Sequence, residues 1–257
     1  MEGVLGPLVG NDGVSCRYGG IGLSALLGTR VVDLTGRWGD LAGRILAELG
    51  AEVVKIEAPT GDRMRRLGDI RDGMGSVFHA CNRGKKSVVL DTKTDGGRES
   101  LIALIGTADV FVQNFRPGAV ERMGIGPDEM CARFPSLIYV SISGFGPTGP
   151  YADQMVYDFV IQGLSGHAAL EGLGDPVDEN GARRPRLSKG LVIDKATALT
   201  TAQAITAALL QRERGGGPDG DHERVARDRG LGDQFVPDPA REHQRVVAMV
   251  SVAGAQR

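Results

Sequence analysis

Residues 30–57 read RVVDLTGRWGDLAGRILAELGAEVVKIE, and no other stretch constrains the fold as strongly. RVVDL and EVVKIE are short, β-branched and nearly continuous in apolar character, the pattern of strands buried on both faces. Between them GDLAGRILAELGA carries apolar residues at helical spacing and stops at Gly50, a residue suited to helix C-termini. Two strands separated by a helix cannot close as a hairpin. They pair in parallel through a right-handed crossover, so both faces of the sheet must be covered.

The rhythm repeats downstream. KKSVVLDTK reads as a strand, GGRESLIALIGTA as an amphipathic helix and DVFVQNF as a strand. AVERMGIGPDEMCARFP gives helical turns, and LIYVSISGFG gives another strand. Such alternation predicts an α/β fold, Rossmann-like, with a mainly parallel sheet and flanking helices. Ligands of such sheets sit at the carboxyl ends of the strands. From about Val156 the pattern changes to a helix, a polar loop GDPVDENGARRPRLSKG, and a helix from Asp194 to about Arg214. Three regions are expected: a loose Gly-rich arm over 1–28, the α/β region over 29–214, and an atypical tail over 215–257. The tail is charged and Gly-rich with almost no apolar period, so it is expected to be disordered. Only VVAMVSVAGA within it is strand-like.

Composition closes off several function classes. Thirty Lys and Arg against thirty-two Asp and Glu give a net charge of −2, with no general attraction for nucleic acid or anionic membrane. No run of eighteen apolar residues is present, so no transmembrane helix is expected. The N-terminus shows no basic stretch followed by a long apolar core, so no signal peptide is expected either. Cys16, Cys81 and Cys131 are far apart and odd in number, which predicts neither a disulfide framework nor a metal site and fits a reducing cytoplasm.

The chemistry-bearing motifs each have a plainer reading. Gly36, Gly39 and Gly43 of TGRWGDLAG do not fit the GxGxxG spacing of a dinucleotide turn. Glu57, at the end of the second strand, stands where a nicotinamide-binding acid is found in such folds. NRGKKS (82–87) and NFRPG (114–118), with Lys93 and Arg122, are either solvated loop charge or one edge facing a polyanion such as a nucleotide diphosphate. SGFGPTGP (143–150) is a tight turn whose glycines also permit close backbone approach to a ligand. His167 lacks a second ligand at helical spacing and reads as a packed or solvent-facing residue. Asp194 precedes KATALTTAQAITAALLQRER. The simpler reading is an N-cap worth about 1 kcal/mol. An acid at a helix start behind the apolar triplet Leu191–Ile193 is also a usable nucleophile.

The ordered set VVDLTGRWGDLAGRILAELGAEVVKIE, NRGKKSVVLDTKTDGGRE, ADVFVQNFRPGAVERMGIG, LIYVSISGFGPTGPYAD, YDFVIQGLSG and AALLQRERGGG closely resembles the class III CoA-transferase family, also called CaiB/BaiF, over roughly residues 28–214. The resemblance implies transfer of CoA from an acyl-CoA to a small carboxylic acid by an interlocked homodimer, with CoA as substrate and no permanently bound cofactor. It implies that Asp194 is the nucleophile, passing through an aspartyl-CoA thioester. By position, the implied CoA contacts are Trp38, Gly39, Leu90, Asp91, Thr92, Lys93, Asn114, Phe115, Arg116, Arg122, Tyr157 and Asp158. Ala58 stands where some relatives carry an arginine.

The family also contains 2-methylacyl-CoA racemases with a GHD motif. Here the sequence is VYD, and Tyr157, with an ordinary pKa of about 10, is a poor proton shuttle. Racemase chemistry is therefore the alternative to transfer, and a non-catalytic remnant is the other. The family pattern breaks after RERGGG, and the GC-rich-codon composition beyond it leads to the expectation of a truncated or frameshifted product. On that expectation the fold is incomplete, and the apolar faces of Ile205, Leu209 and Leu210 should be partly uncovered, with poor solubility as the consequence.

Overall fold

The computed structural model describes residues 25–214. The predicted arm up to residue 24, Cys16, the tail over 215–257 and its strand-like VVAMVSVAGA lie outside the described residues. Residues 25–28 form a turn that is not loose: Leu26 is buried in the core and its N–H donates to Leu49 O at 2.9 Å.

The element order is β1 (Arg30–Leu34), a 3-10 turn (Arg37–Gly39), α1 (Asp40–Glu48), β2 (Glu52–Glu57) and a second 3-10 turn (Arg63–Arg66). A hairpin of β3 (Ile70–Arg71) and β4 (Met74–Gly75) leads to α2 (Ser76–Asn82), β5 (Lys86–Val89), α3 (Asp95–Ile105) and β6 (Val110–Gln113). Then follow α4 (Ala119–Arg122), α5 (Pro127–Arg133), β7 (Ile138–Ser141), α6 (Asp158–Leu164), α7 (His167–Glu171) and α8 (Val192–Glu213). The five long-range strands form one sheet in the order β5-β2-β1-β6-β7, and every pairing in it is parallel. Counting only those strands, the order is 3-2-1-4-5. Winding reverses between β1 and β6, and the crevice outside their carboxyl ends is the place where such sheets take ligands.

Both faces are covered, as the unbroken apolar runs require. Val31, Val53, Val110 and Ile138, level with one another in the ladder, pack on one face with Leu46 of α1 and Ile205 and Leu209 of α8. Val32, Val54, Phe111 and Tyr139 pack on the other with Leu101 and Ile105 of α3 and Met130 of α5. The expectation that Ile205 and Leu209 would be uncovered is therefore corrected. They are 0% and 5% exposed, because α8 lies on the sheet beside α1 and buries them there, whereas Leu210 points away and is 45% exposed. The last turn of α8 is fixed where β6 and β7 begin, with Arg212 Nη2 2.7 Å from Asp109 Oδ1 and Nη1 donating to Ser136 O at 3.0 Å. The helix thus runs opposite to the strands, and its first turn arrives at their carboxyl ends.

Beneath the first βα turn lies a cluster of buried charge. Lys55 Nζ donates to Asp40 Oδ1 (2.7 Å) and to Thr35 O (3.1 Å), and it pairs with Asp62 Oδ2 at 2.8 Å. Lys85 Nζ donates to Asp33 Oδ2 (2.7 Å), Asp40 O (2.6 Å) and Asn82 Oδ1 (2.9 Å). Burial opposes the charge on Asp33, but Lys85 and then Lys55 outweigh it and hold the carboxyl below its ordinary value. Gly43 has no room for a side chain, because a Cβ there would lie 2.3 Å from Asp33 Oδ2. Of the NRGKKS cations, Lys85 belongs to this cluster, while at the surface Lys86 pairs with Glu52 and Arg83 with Glu48. Removing one partner of a buried pair leaves the other charge uncompensated, so Lys55→Met should lower unfolding free energy by about 3–5 kcal/mol in urea titration, far more than Lys86→Met at the exposed pair.

Candidate active site

A cavity of about 680 Å³ opens at the switch point between β1 and β6. Its floor is set by Asn114, the first residue past β6. The Asn114 side chain accepts from Gly36 N at 3.0 Å and donates to Gly36 O at 2.8 Å, so it locks both backbone groups of the residue that opens the first βα turn. Gly39 must be glycine for the same reason, since a Cβ there would meet Asn114 Nδ2 at 2.5 Å. On the opposite wall Gly144 allows the SGFGPTGP turn to approach Val156, whose Cγ2 would be 2.2 Å from a Cβ at that position.

The start of α8 forms the remaining wall, and here two carboxylates meet one helix N-terminus. Leu191 takes the N-cap position in a left-handed conformation (φ 49°, ψ 53°) and offers no side-chain cap. The cap comes from α6 instead. Asp158 Oδ2 accepts from Ile193 N (2.8 Å) and Asp194 N (3.0 Å), while Oδ1 accepts from Gln162 Nε2. Gln162, fully buried, also brackets Ser188, donating to its carbonyl at 3.0 Å and accepting from its N–H at 2.8 Å. Asp194 is the third residue of α8, not its cap, and its carboxylate lines the cavity. Among the described residues no group donates a hydrogen bond to it. Burial first, and the charge of Asp158 second, push its pKa up to about 6.

The other predicted contacts divide. Gly39, Asn114, Phe115, Arg116, Tyr157 and Asp158 line the cavity with Asp194. Trp38 lies in the 3-10 turn beside them, with its side chain outside the described residues. Leu90, Asp91, Thr92 and Lys93 do not line it. They follow the edge strand β5, where Leu90 N donates to Glu57 O (2.9 Å) and Asp91 Oδ1 accepts from Lys93 N (3.1 Å) at the turn into α3. Arg122 is exposed on α4 and likewise stands apart from the cavity. Asp158 is only 4% exposed, and its oxygens accept from Gln162, Ile193 and Asp194, so it braces the frame of the site.

Glu57 is also engaged within the chain. It receives both Arg65 Nε (2.7 Å) and Nη2 (2.6 Å), Ser87 Oγ (2.6 Å) and Asp62 N (3.0 Å). Burial opposes that charge, yet these donors, Arg65 first, hold its pKa near about 2, and no acceptor is left over for a ribose. Two further residues of the site, Arg37 and Gln162, are not among the predicted contacts. Gln162 had a local signal, since it lies one helical turn after Asp158 on the same face. Arg37 had only its place after β1.

A raised carboxyl pKa costs the fold stability once the group ionises. The penalty at Asp194 is absent below about pH 4, grows between pH 4 and 6, and is constant above that. Asp194→Asn should therefore melt higher than the parent at pH 8, by on the order of 1–2 kcal/mol after allowing for solvent screening at this partly exposed group, and the two curves should converge near pH 4.

Comparison with known proteins places this geometry in a family. The model described as CoA-transferase family III matches residues 26–226. Over 196 residues the chain is 38% identical to a probable fatty acyl-CoA transferase of Mycobacterium tuberculosis, covering 75% of this chain and 48% of that protein. It is 43% identical over 195 residues to a formyl-CoA:oxalate CoA-transferase of Streptomyces avermitilis (75% and 46% covered), and 38% identical over 213 residues to a succinate–glutarate CoA-transferase of Agrobacterium fabrum (78% and 50%). A solved CaiB/BaiF family protein from Brucella suis superimposes with a TM-score of 0.68 at 40% identity, over 74% of this chain and 50% of that one. The chain spans about half the length of the curated relatives it matches. With a family match across most of its length and the fold of a solved family member, the chain belongs to CoA-transferase family III.

Proposed function

We propose that this chain carries the reacting centre of an acyl-CoA:carboxylate CoA-transferase, with Asp194 as nucleophile. The observation that carries the reading is the division of labour at the start of α8. Asp158 takes the N–H groups that would otherwise draw in the Asp194 carboxylate, so Asp194 faces the cavity unbonded and more basic than an ordinary aspartate. At neutral pH it is still mostly ionised, which is the condition a carboxylate nucleophile needs.

The chemistry follows in four balanced steps. Asp194 attacks the thioester carbonyl of an acyl-CoA, forming a mixed anhydride and expelling the CoA thiolate. The thiolate attacks the aspartyl carbonyl of that anhydride, releasing the first carboxylate and leaving an aspartyl-CoA thioester. The acceptor carboxylate attacks this thioester, giving a second anhydride and thiolate. The thiolate then takes the acceptor's acyl carbon and frees Asp194. Each tetrahedral oxyanion needs donors, and the glycine-rich wall at Ser143–Gly144 is where backbone N–H groups would meet it. Water would divert either activated species to hydrolysis, so apolar walls at Ile142, Val156 and Ile193 serve the reaction as well as the fold.

In this reading the CoA nucleotide lies outside the cavity, toward Leu90–Lys93 and Arg122 at the same carboxyl-end rim. Exposed apolar side chains on α6, α7 and α8, among them Phe159, Leu164, Leu170 and Leu199, would be covered in the interlocked homodimer.

Intact-mass measurement after incubation with a panel of acyl-CoAs tests the nucleophile. The expected result is an adduct of CoA less water, mapped to Asp194, with at least about a thousandfold slower formation in Asp194→Asn. An unmodified parent chain, or an adduct that persists in the Asn variant, would overturn the assignment. The rate of adduct formation should rise with pH through about 6 as Asp194 ionises. Asp158→Asn removes the neighbouring charge and should move that inflection to lower pH. An unmoved inflection would confine Asp158 to a purely structural role.

A further inference from the structure

Arg37 is the feature of the cavity that the proposed chemistry leaves unused. Among the described residues three non-glycines have positive φ, and two of them, Arg37 (φ 59°) and Leu191, line this one cavity. Strained backbone of this kind persists where surrounding contacts hold it, and it gathers at ligand sites. The contacts holding Arg37 are identifiable. Asn114 locks Gly36 immediately before it through both backbone groups, and the guanidinium reaches across the mouth to a residue 120 positions away, with Nη1 3.3 Å from the Tyr157 hydroxyl and the charge 5.4 Å from the ring centroid. Arg65, Arg98, Arg186 and Arg212 each hold a carboxylate, but among the described residues none lies within ion-pair distance of Arg37. It is a charge oriented by an aromatic ring and left without a counterion.

The charge balance of the cavity says what that counterion is. Its ionisable lining consists of two cations, Arg37 and Arg116, two carboxylates, Asp158 and Asp194, and Tyr157, among apolar walls. Asp158 is already spent on backbone N–H groups. An acceptor acid must bring its own carboxylate toward the site of another, Asp194, and like charges repel. Of the two cations, Arg37 is the one tied, through Tyr157, to the segment that holds Asp194.

We propose that Arg37 is an acceptor-selecting residue: its guanidinium, held across the cavity mouth against Tyr157, receives the second carboxylate of a dicarboxylic acid whose first carboxylate is directed at Asp194. This rests on Asp194 being the reacting group. Planar two-point pairing of guanidinium with carboxylate gives the preference its geometry, and a monocarboxylic acid of equal length leaves the cation unmatched.

Equilibrium titration of the full chain with succinate and glutarate, against butyrate and pentanoate as equal-length controls, tests this. The parent should bind each dicarboxylate about tenfold or more tightly than its control. Arg37→Gly should abolish that difference while melting no lower than the parent, because glycine relieves the positive φ. Arg37→Gln should also abolish it, and Asp194→Asn should keep it. A parent without the preference, or a preference surviving in both Arg37 variants, overturns the proposal. The Asp194 adduct assay separates this from the underlying reading: an adduct without dicarboxylate preference removes Arg37 alone, and an Arg37-dependent preference without an adduct removes the transfer reaction and leaves a dicarboxylate-binding site.

Discussion

Two lysines buried among three aspartates hold the first turn of this fold in place. Lys55 comes from the middle of β2 and Lys85 from the loop ahead of β5, and they converge on Asp33 at the end of β1 and Asp40 at the start of α1. Apolar contacts alone would let the turn after β1 slide, because hydrophobic attraction has no direction. Charged hydrogen bonds of 2.6 to 2.9 Å do have direction, and each of these groups is too costly to bury without its partners. The turn is therefore fixed from below, and Asn114 fixes it from the side through Gly36. Everything the cavity presents on that wall follows from these two restraints.

The wall at the start of α8 is held by a different device with the same logic. A helix N-terminus exposes N–H groups that some acceptor must satisfy. Asp158 supplies it from a separate helix, thirty-five residues away, and Gln162 ties the incoming segment at Ser188 to the same helix. The consequence is electrostatic as well as mechanical. One carboxylate is consumed by capping, and the other is left in the cavity beside it with a raised proton affinity. A single residue could not serve both ends, since an aspartate folded back onto its own helix would be a stabilised and unreactive anion.

The two walls also share a cost. Arg37 and Leu191 both adopt left-handed backbone, one on each side of the cavity. The buried cluster, the Asn114 clamp and the Asp158 cap hold those positions, so local strain at the mouth is offset by strong interactions behind it.

Much of this architecture was legible in the amino-acid order. Continuous β-branched runs separated by helical periods determine a parallel sheet, because such strands must be buried twice and joined by crossovers. They do not determine strand order, which here decides that the β1 and β6 ends, not the β2 and β5 ends, frame the cavity. Motif resemblance pointed to Asp194, Asn114 and Tyr157 but also to Leu90–Lys93 and Arg122, which the fold leaves outside the cavity. Spacing could not say whether Asp194 was a cap, since that depended on an acceptor thirty-six residues earlier in the chain. Nor could it say that Lys85 faced inward, that Glu57 was already occupied by Arg65, or that Arg37 lay over Tyr157. Local sequence sets periodicity and turn chemistry. Which charges find partners, and which one is left without a counterion, is settled only when distant segments meet.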